Sequence, residues 1–156
     1  MKKVYLLILS CLMTTFISRA QDLTQNEIIN SMLEVRDEFI PAVEEALASN
    51  GIDSKIRVFF EKTTNELVFS YQFFDKNIFD NANLDAMKKG GIQGIVSEVL
   101  KEDSTGEGLE WLVNEFKRTK TFLRYEVVYV DSNYKKHVKS DRVTPEDIQR
   151  LASLLY

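Results

Sequence analysis

The amino-acid sequence predicts an α+β fold: an antiparallel sheet of about four strands, built as two hairpins, with helices packed on one face. Three observations lead there. Apolar residues recur at helical spacing over 25–49, over 82–118 and again after Thr144. They alternate with polar residues at a period of two over 55–61, 66–74 and 121–130. The two patterns come in blocks rather than in strict alternation, which favours segregated helices and hairpins. The expected order is α-ββ-αα-ββ-α.

Thr24-Gln25-Asn26-Glu27 has the form of a capping box, with Leu23 and Ile28 placed as its hydrophobic staple. Behind it Ile28, Met32, Val35, Phe39, Val43 and Leu47 form one stripe, so a helix is expected over 25–49, with a kink or break near Ile40 where Pro41 removes a hydrogen bond. Asn50-Gly51 is its stop.

Ile56, Val58 and Phe60 alternate on the first strand and Leu67, Phe69, Tyr71 and Phe73 on the second. Both sets share a face only if Phe60 pairs with Phe69 or Leu67, because an odd loop would turn one set over. In the next block, Leu84, Met87, Ile95, Val99 and Leu100 fit a stripe that Gly90, Gly91 and Gly94 interrupt. Three glycines cost roughly 3 kcal/mol against alanine, so a break near Gly90-Gly91 or a close backbone contact is expected. Ser104-Thr105-Gly106-Glu107 is a second capping box, opening a helix with Leu109, Leu112, Val113 and Phe116 inward and Trp111 at its rim.

Leu123, Tyr125, Val127 and Tyr129 alternate on a third strand; Asp131-Ser132-Asn133-Tyr134 reads as a turn, and a short fourth strand follows over 135–140. Pairing Val127 with Val138 would set Glu126 against Lys139 and Arg124 against Asp141. Thr144 caps the last helix, with Pro145 at its first position, Asp147 three residues on, and Ile148, Leu151 and Leu155 inward. Ile56-Arg57-Val58 and Leu123-Arg124-Tyr125 are too little alike to establish an internal repeat.

Residues 1–20 read as a secretory signal peptide: Lys2 and Lys3, an apolar run from Val4 to Ile17, then Ser18-Arg19-Ala20 before a cleavage site at Gln21. The run falls short of the roughly twenty residues that span a bilayer. Lipidation at Cys11 is a weaker alternative, because Leu12-Met13 and Phe16-Ile17 would make a poor solvated tether. Residues 21–156 then form a single globular domain, periplasmic or secreted, with no membrane span after cleavage.

Cys11 is the only cysteine and His137 the only histidine. The expected mature chain therefore lacks disulfides, thiolate nucleophiles and any site needing two imidazoles. Its charge is uneven: residues 21–116 hold nineteen acids and eight bases, whereas residues 117–142 hold eight bases and three acids. An acidic domain of this kind is a poor general binder of nucleic acid. The basic stretch either steers an acidic partner or keeps a strand edge from aggregating.

No motif nominates a cofactor, a metal or a catalytic set. In Lys89-Gly90-Gly91-Ile92-Gln93-Gly94 the lysine precedes the glycines, the wrong order for a phosphate loop. The oxygen-rich Asp75–Asp85 segment does not fit the helix-loop-helix calcium pattern, and its Asp and Asn residues suit turns and caps. Carboxylates abound, but Glu44-Glu45 and Glu98/Glu102 fall on solvated helix faces. His137, among Lys135, Lys136 and Lys139, is poorly placed to accept a proton.

The sheet face turned away from the helices remains. Arg57, Phe59, Gln72, Arg124 and His137 are expected there, beside Ser70 and Val128, a mixture of arginine, an aromatic and small polar groups that suits a recognition surface. An ordinary solvated sheet face would carry the same pattern. The reading is an exported, non-enzymatic binding module for a protein partner, inhibitor-like or part of an envelope complex. The alternative is an exported hydrolase that uses carboxylates on a glycan.

Overall fold

A computed structural model of the 156-residue chain describes residues 25–102 and 107–154. The expected signal with Cys11, the cap residue Thr24, Ser104–Gly106 of the second capping box and Leu155 lie outside the described residues, as do the side chains of the Met32–Phe39 and Ile95–Leu100 stripes and of Leu151.

The fold is α+β. Five described helices, α1 (Gln25–Ala48), α2 (Lys76–Asn81), α3 (Leu84–Glu102), α4 (Glu107–Thr119) and α5 (Pro145–Ala152), accompany β1 (Ser54–Glu61), β2 (Glu66–Phe73), β3 (Phe122–Val130) and β4 (Lys136–Val143). The strands lie in sequence order in one sheet. β1 with β2, and β3 with β4, are antiparallel hairpins as expected, but β2 runs parallel to β3, so the sheet is mixed rather than antiparallel. A parallel pair needs a long crossover, and the helical block α2–α4 supplies it. The short α2 was not expected. It occupies the Asp75–Asp85 segment, where Asp75 accepts from Asn77 N at 2.7 Å and Asn83 accepts from Ala86 N at 3.0 Å, each opening a helix.

Neither of the two expected helix breaks occurs. Helix α1 passes Pro41 without a break, with Pro41 exposed and Val43 and Leu47 locked into the core beyond it. Helix α3 likewise runs through Gly90-Gly91; Gly91 is buried beside the buried Ile92, so tertiary burial outweighs the weak local propensity. The stop at Gly51 is as read. Its φ is +74°, and Ile52 N donates to Leu47 O at 3.0 Å, a Schellman closure with both flanking side chains in the core. At α5, Asp147 N donates to Thr144 Oγ1 at 3.1 Å and Thr144 N donates to Asp147 Oδ2 at 2.9 Å, a reciprocal cap.

The first hairpin pairs Phe60 with Leu67, one of the two registers that the alternation allowed. Ile56, Val58, Leu67, Phe69, Tyr71, Leu123, Tyr125 and Val127 thus meet the helices, whose Leu47, Met87, Leu112, Phe116 and Ile148 complete one core. Phe69 stacks on Tyr125 with ring centroids 5.1 Å apart. Asn65, at φ +57°, ties the β1–β2 loop to the end of α4: its amide donates to Thr119 O at 2.7 Å and Lys120 O at 2.9 Å, and its carbonyl accepts from Phe122 N at 3.2 Å. This clamp sets β2 and β3 level at the start of their parallel ladder.

The second hairpin is one residue out from the expected register. Val128, not Val127, opposes Val138; Val127 meets Lys139, Glu126 meets Ser140, and Arg124 meets Arg142. Asp131 N donates to Lys135 O at 3.1 Å, while Asp131 Oδ1 accepts from Asn133 N and Lys135 N, so the turn takes in Lys135 and starts β4 later. A one-residue slip turns every side chain of the strand over. His137, Lys139, Asp141 and Val143 therefore face the helices. The buried Val143 anchors that parity; Lys139 Nζ donates to Phe79 O at 2.9 Å and Asp80 O at 2.8 Å, at the end of α2; and Lys88 Nζ meets Asp141 Oδ2 at 2.5 Å.

Candidate functional site

The core cluster contains no residue from the opposite face of the sheet, although Val68 and Val128 there are buried. The register lays this far face out in rows. Phe59, Val68, Arg124 and Arg142 form one; Arg57, Ser70, Glu126 and Ser140 the next; Lys55, Gln72, Val128 and Val138 the third.

At the β2 start the face is consumed by an ion network. Glu66, with a side chain 1% exposed, takes Arg124 Nη1 at 2.8 Å and Arg142 Nε at 2.6 Å. Arg124 Nη2 also donates to Glu61 Oε2 at 2.7 Å, and Thr64 Oγ1 donates to Glu66 Oε2 at 2.9 Å. Glu126 Oε2 is 3.8 Å from Arg124 Nη2, and the Arg142 guanidinium lies over the Phe122 ring. Two like charges stand directly opposite each other in the ladder because Glu66 lies between them. Arg124 is thus where the sequence placed it, but its charge is spent on holding β1, β2 and β3 together.

At the other end the face is cationic and open. A depression of about 220 Å³ is lined by Lys55 and Arg57 from β1, Ser70 and Gln72 from β2, Val128 and Val130 from β3, and Lys136 from β4. Among the described residues, Lys55, Arg57 and Lys136 enter no ion pair. No carboxylate, imidazole or thiol lines the depression, and the carboxylates Glu61, Glu66 and Glu126 all turn to Arg124. Its chemistry is that of anion binding over an apolar floor: cationic heads at the margins, a hydroxyl and an amide between them. The apolar side chains exposed on the strands also belong to this face, namely Phe59 at 37%, Val130 at 38% and Val138 at 46%.

Of the residues expected at the site, Arg57 and Gln72 line the depression and Phe59 stands one row away. Arg124 belongs to the neighbouring network, and His137 is on the helix face. There His137 Nε2 lies 2.9 Å from Asp131 Oδ2, and this hydrogen bond, with backbone donors from Lys135 and Asn133, holds the Asp131 carboxyl below its ordinary range. Sequence reasoning missed Lys55, Val130 and Lys136. Lys55 was legible, since it alternates with Arg57 and Phe59; Lys136 was hidden by the slipped register.

No described helix is long and apolar enough to cross a membrane. Comparison of the chain with protein-family models, curated proteins and solved structures finds no match.

Proposed function

We propose that the chain is an exported, non-enzymatic binding module that engages a protein partner through the far face of its sheet. One observation carries the reading: three cations without ion-pair partners among the described residues surround a depression on a sheet face that also exposes Phe59, Val130 and Val138. In a chain of formal net charge −4 such a patch is a local excess, and a cationic patch of this kind steers a partner of complementary charge. Aromatic and arginine side chains at such a face are the usual anchors of an interface.

Purification of the native protein from the cell envelope with its partner tests the reading. Replacing Arg57 and Phe59 with alanine is expected to release the partner while the melting curve stays in place, whereas Gln93→Ala, exposed on α3, retains it. Retention of the partner by the Arg57/Phe59 variant would move the interface to the helices.

A further inference from the structure

We propose that the depression recognises an extended acidic peptide segment of the form acid-x-apolar-x-acid, laid across the strands from β1 to β4. This deepens the reading above and rests on the far face being the binding surface. Lys55 and Arg57 stand on one edge strand and Lys136 on the other, with the Val128/Val130 floor between them. Four strands have three spacings of about 4.8 Å, so the cationic margins are about 14 Å apart. An extended chain rises about 3.3 Å per residue, and residues i and i+4 lie about 13 Å apart on the same side. Two carboxylates at those positions reach the two margins, and the side chain at i+2, on the same side, meets the valines. Ser70 and Gln72 supply a hydroxyl and an amide to the peptide backbone.

The distribution of charge selects this ligand over others of the same sign. A phosphate needs donors converging on one point, whereas here Lys136 stands across an apolar floor from Lys55 and Arg57. A membrane surface favours a projecting apolar face with a basic rim, and here the cations surround a hollow.

The probe is a peptide containing Glu-Ser-Leu-Ser-Glu, titrated into the isotope-labelled protein and followed by amide chemical shifts. The expected result is movement of Ser70, Gln72, Val128 and Val130, with affinity lowered about tenfold or more by Lys55→Glu with Lys136→Glu, or by glutamine in place of both glutamates. His137→Ala should leave the affinity unchanged. No shifts at these amides, equal binding of the glutamine peptide, or shifts confined to the helix face would overturn the proposal. So would the cation-dependent sedimentation of phosphatidylglycerol vesicles with a silent peptide. These failures differ from failure of the broader reading. If partner capture still depends on Arg57 and Phe59 while the peptide is silent, the far face binds by another chemistry; if capture ignores both residues, the face is not the interface.

Discussion

Glu66 and Arg124 meet at 2.8 Å across the β2–β3 boundary, on the side of the sheet away from the core, with Glu66 almost fully buried. That parallel boundary joins the two hairpins, so the pair acts as a bolt between them. It also divides the far face into a neutralised end and a cationic end.

Glu66→Ala removes the carboxylate that Arg124 and Arg142 share, while Arg124 keeps Glu61 and both guanidinium groups still reach solvent. The expected loss is about 1–3 kcal/mol in urea unfolding. The Glu66→Ala/Arg124→Ala double variant should fall well short of the sum of the singles, because the two groups share one network. Additive effects would show that the network contributes nothing as a unit.

The two faces of the first hairpin should respond differently to truncation. Phe69, buried and stacked on Tyr125, should cost roughly 3–5 kcal/mol when changed to alanine. Phe59, on the far face, should cost less than about 1 kcal/mol. The reverse ranking, measured by chemical denaturation, would mean the sheet is turned inside out.

The β4 register can be read by thiol labelling in a variant lacking Cys11. Val138→Cys should react rapidly because Val138 is exposed, and Val143→Cys should be protected about tenfold or more, opening only with local unfolding. The register expected from the sequence predicts the opposite for Val138.

Acid should weaken the β4 attachment. The hydrogen bond from Lys88 holds the Asp141 carboxyl below its ordinary value, as His137 does for Asp131. A carboxyl depressed in the folded state stabilises fully above its unfolded value of about 3.9 and loses that contribution as pH falls through the lower folded value. The melting temperature of the native chain should therefore fall more steeply below about pH 4 than that of Asp141→Asn. Parallel curves would leave Asp141 no part in acid stability.

The conformation at Gly51 supports a smaller test. No atom lies within 4 Å of a Cβ placed there, so Gly51→Ala is penalised only by its φ of +74°. The expected loss is about 1–2 kcal/mol. A neutral effect would mean that the Schellman turn relaxes freely.

Local periodicity was enough to determine the first three strands to within a residue, the first hairpin's even loop, the stop at Gly51 and the reciprocal cap at Thr144 and Asp147, because each depends on residues a few positions apart. The same periodicity marked Arg57, Phe59 and Gln72 as one face. What it left undecided turns on contacts between distant segments. Whether β2 and β3 pair in parallel depends on where α4 delivers the chain, and Asn65 makes that junction with Thr119 and Lys120. Whether α3 survives its glycines depends on the core around Ile92. The β4 register depends on a balance between one valine facing out and three polar side chains facing in; the backbone bonds of the Asp131 turn and the partners that Lys139 and Asp141 find on α2 and α3 tip it. That balance sent His137 to the helices and brought Lys136 to the depression, because in a strand one residue of register separates the two faces of the sheet.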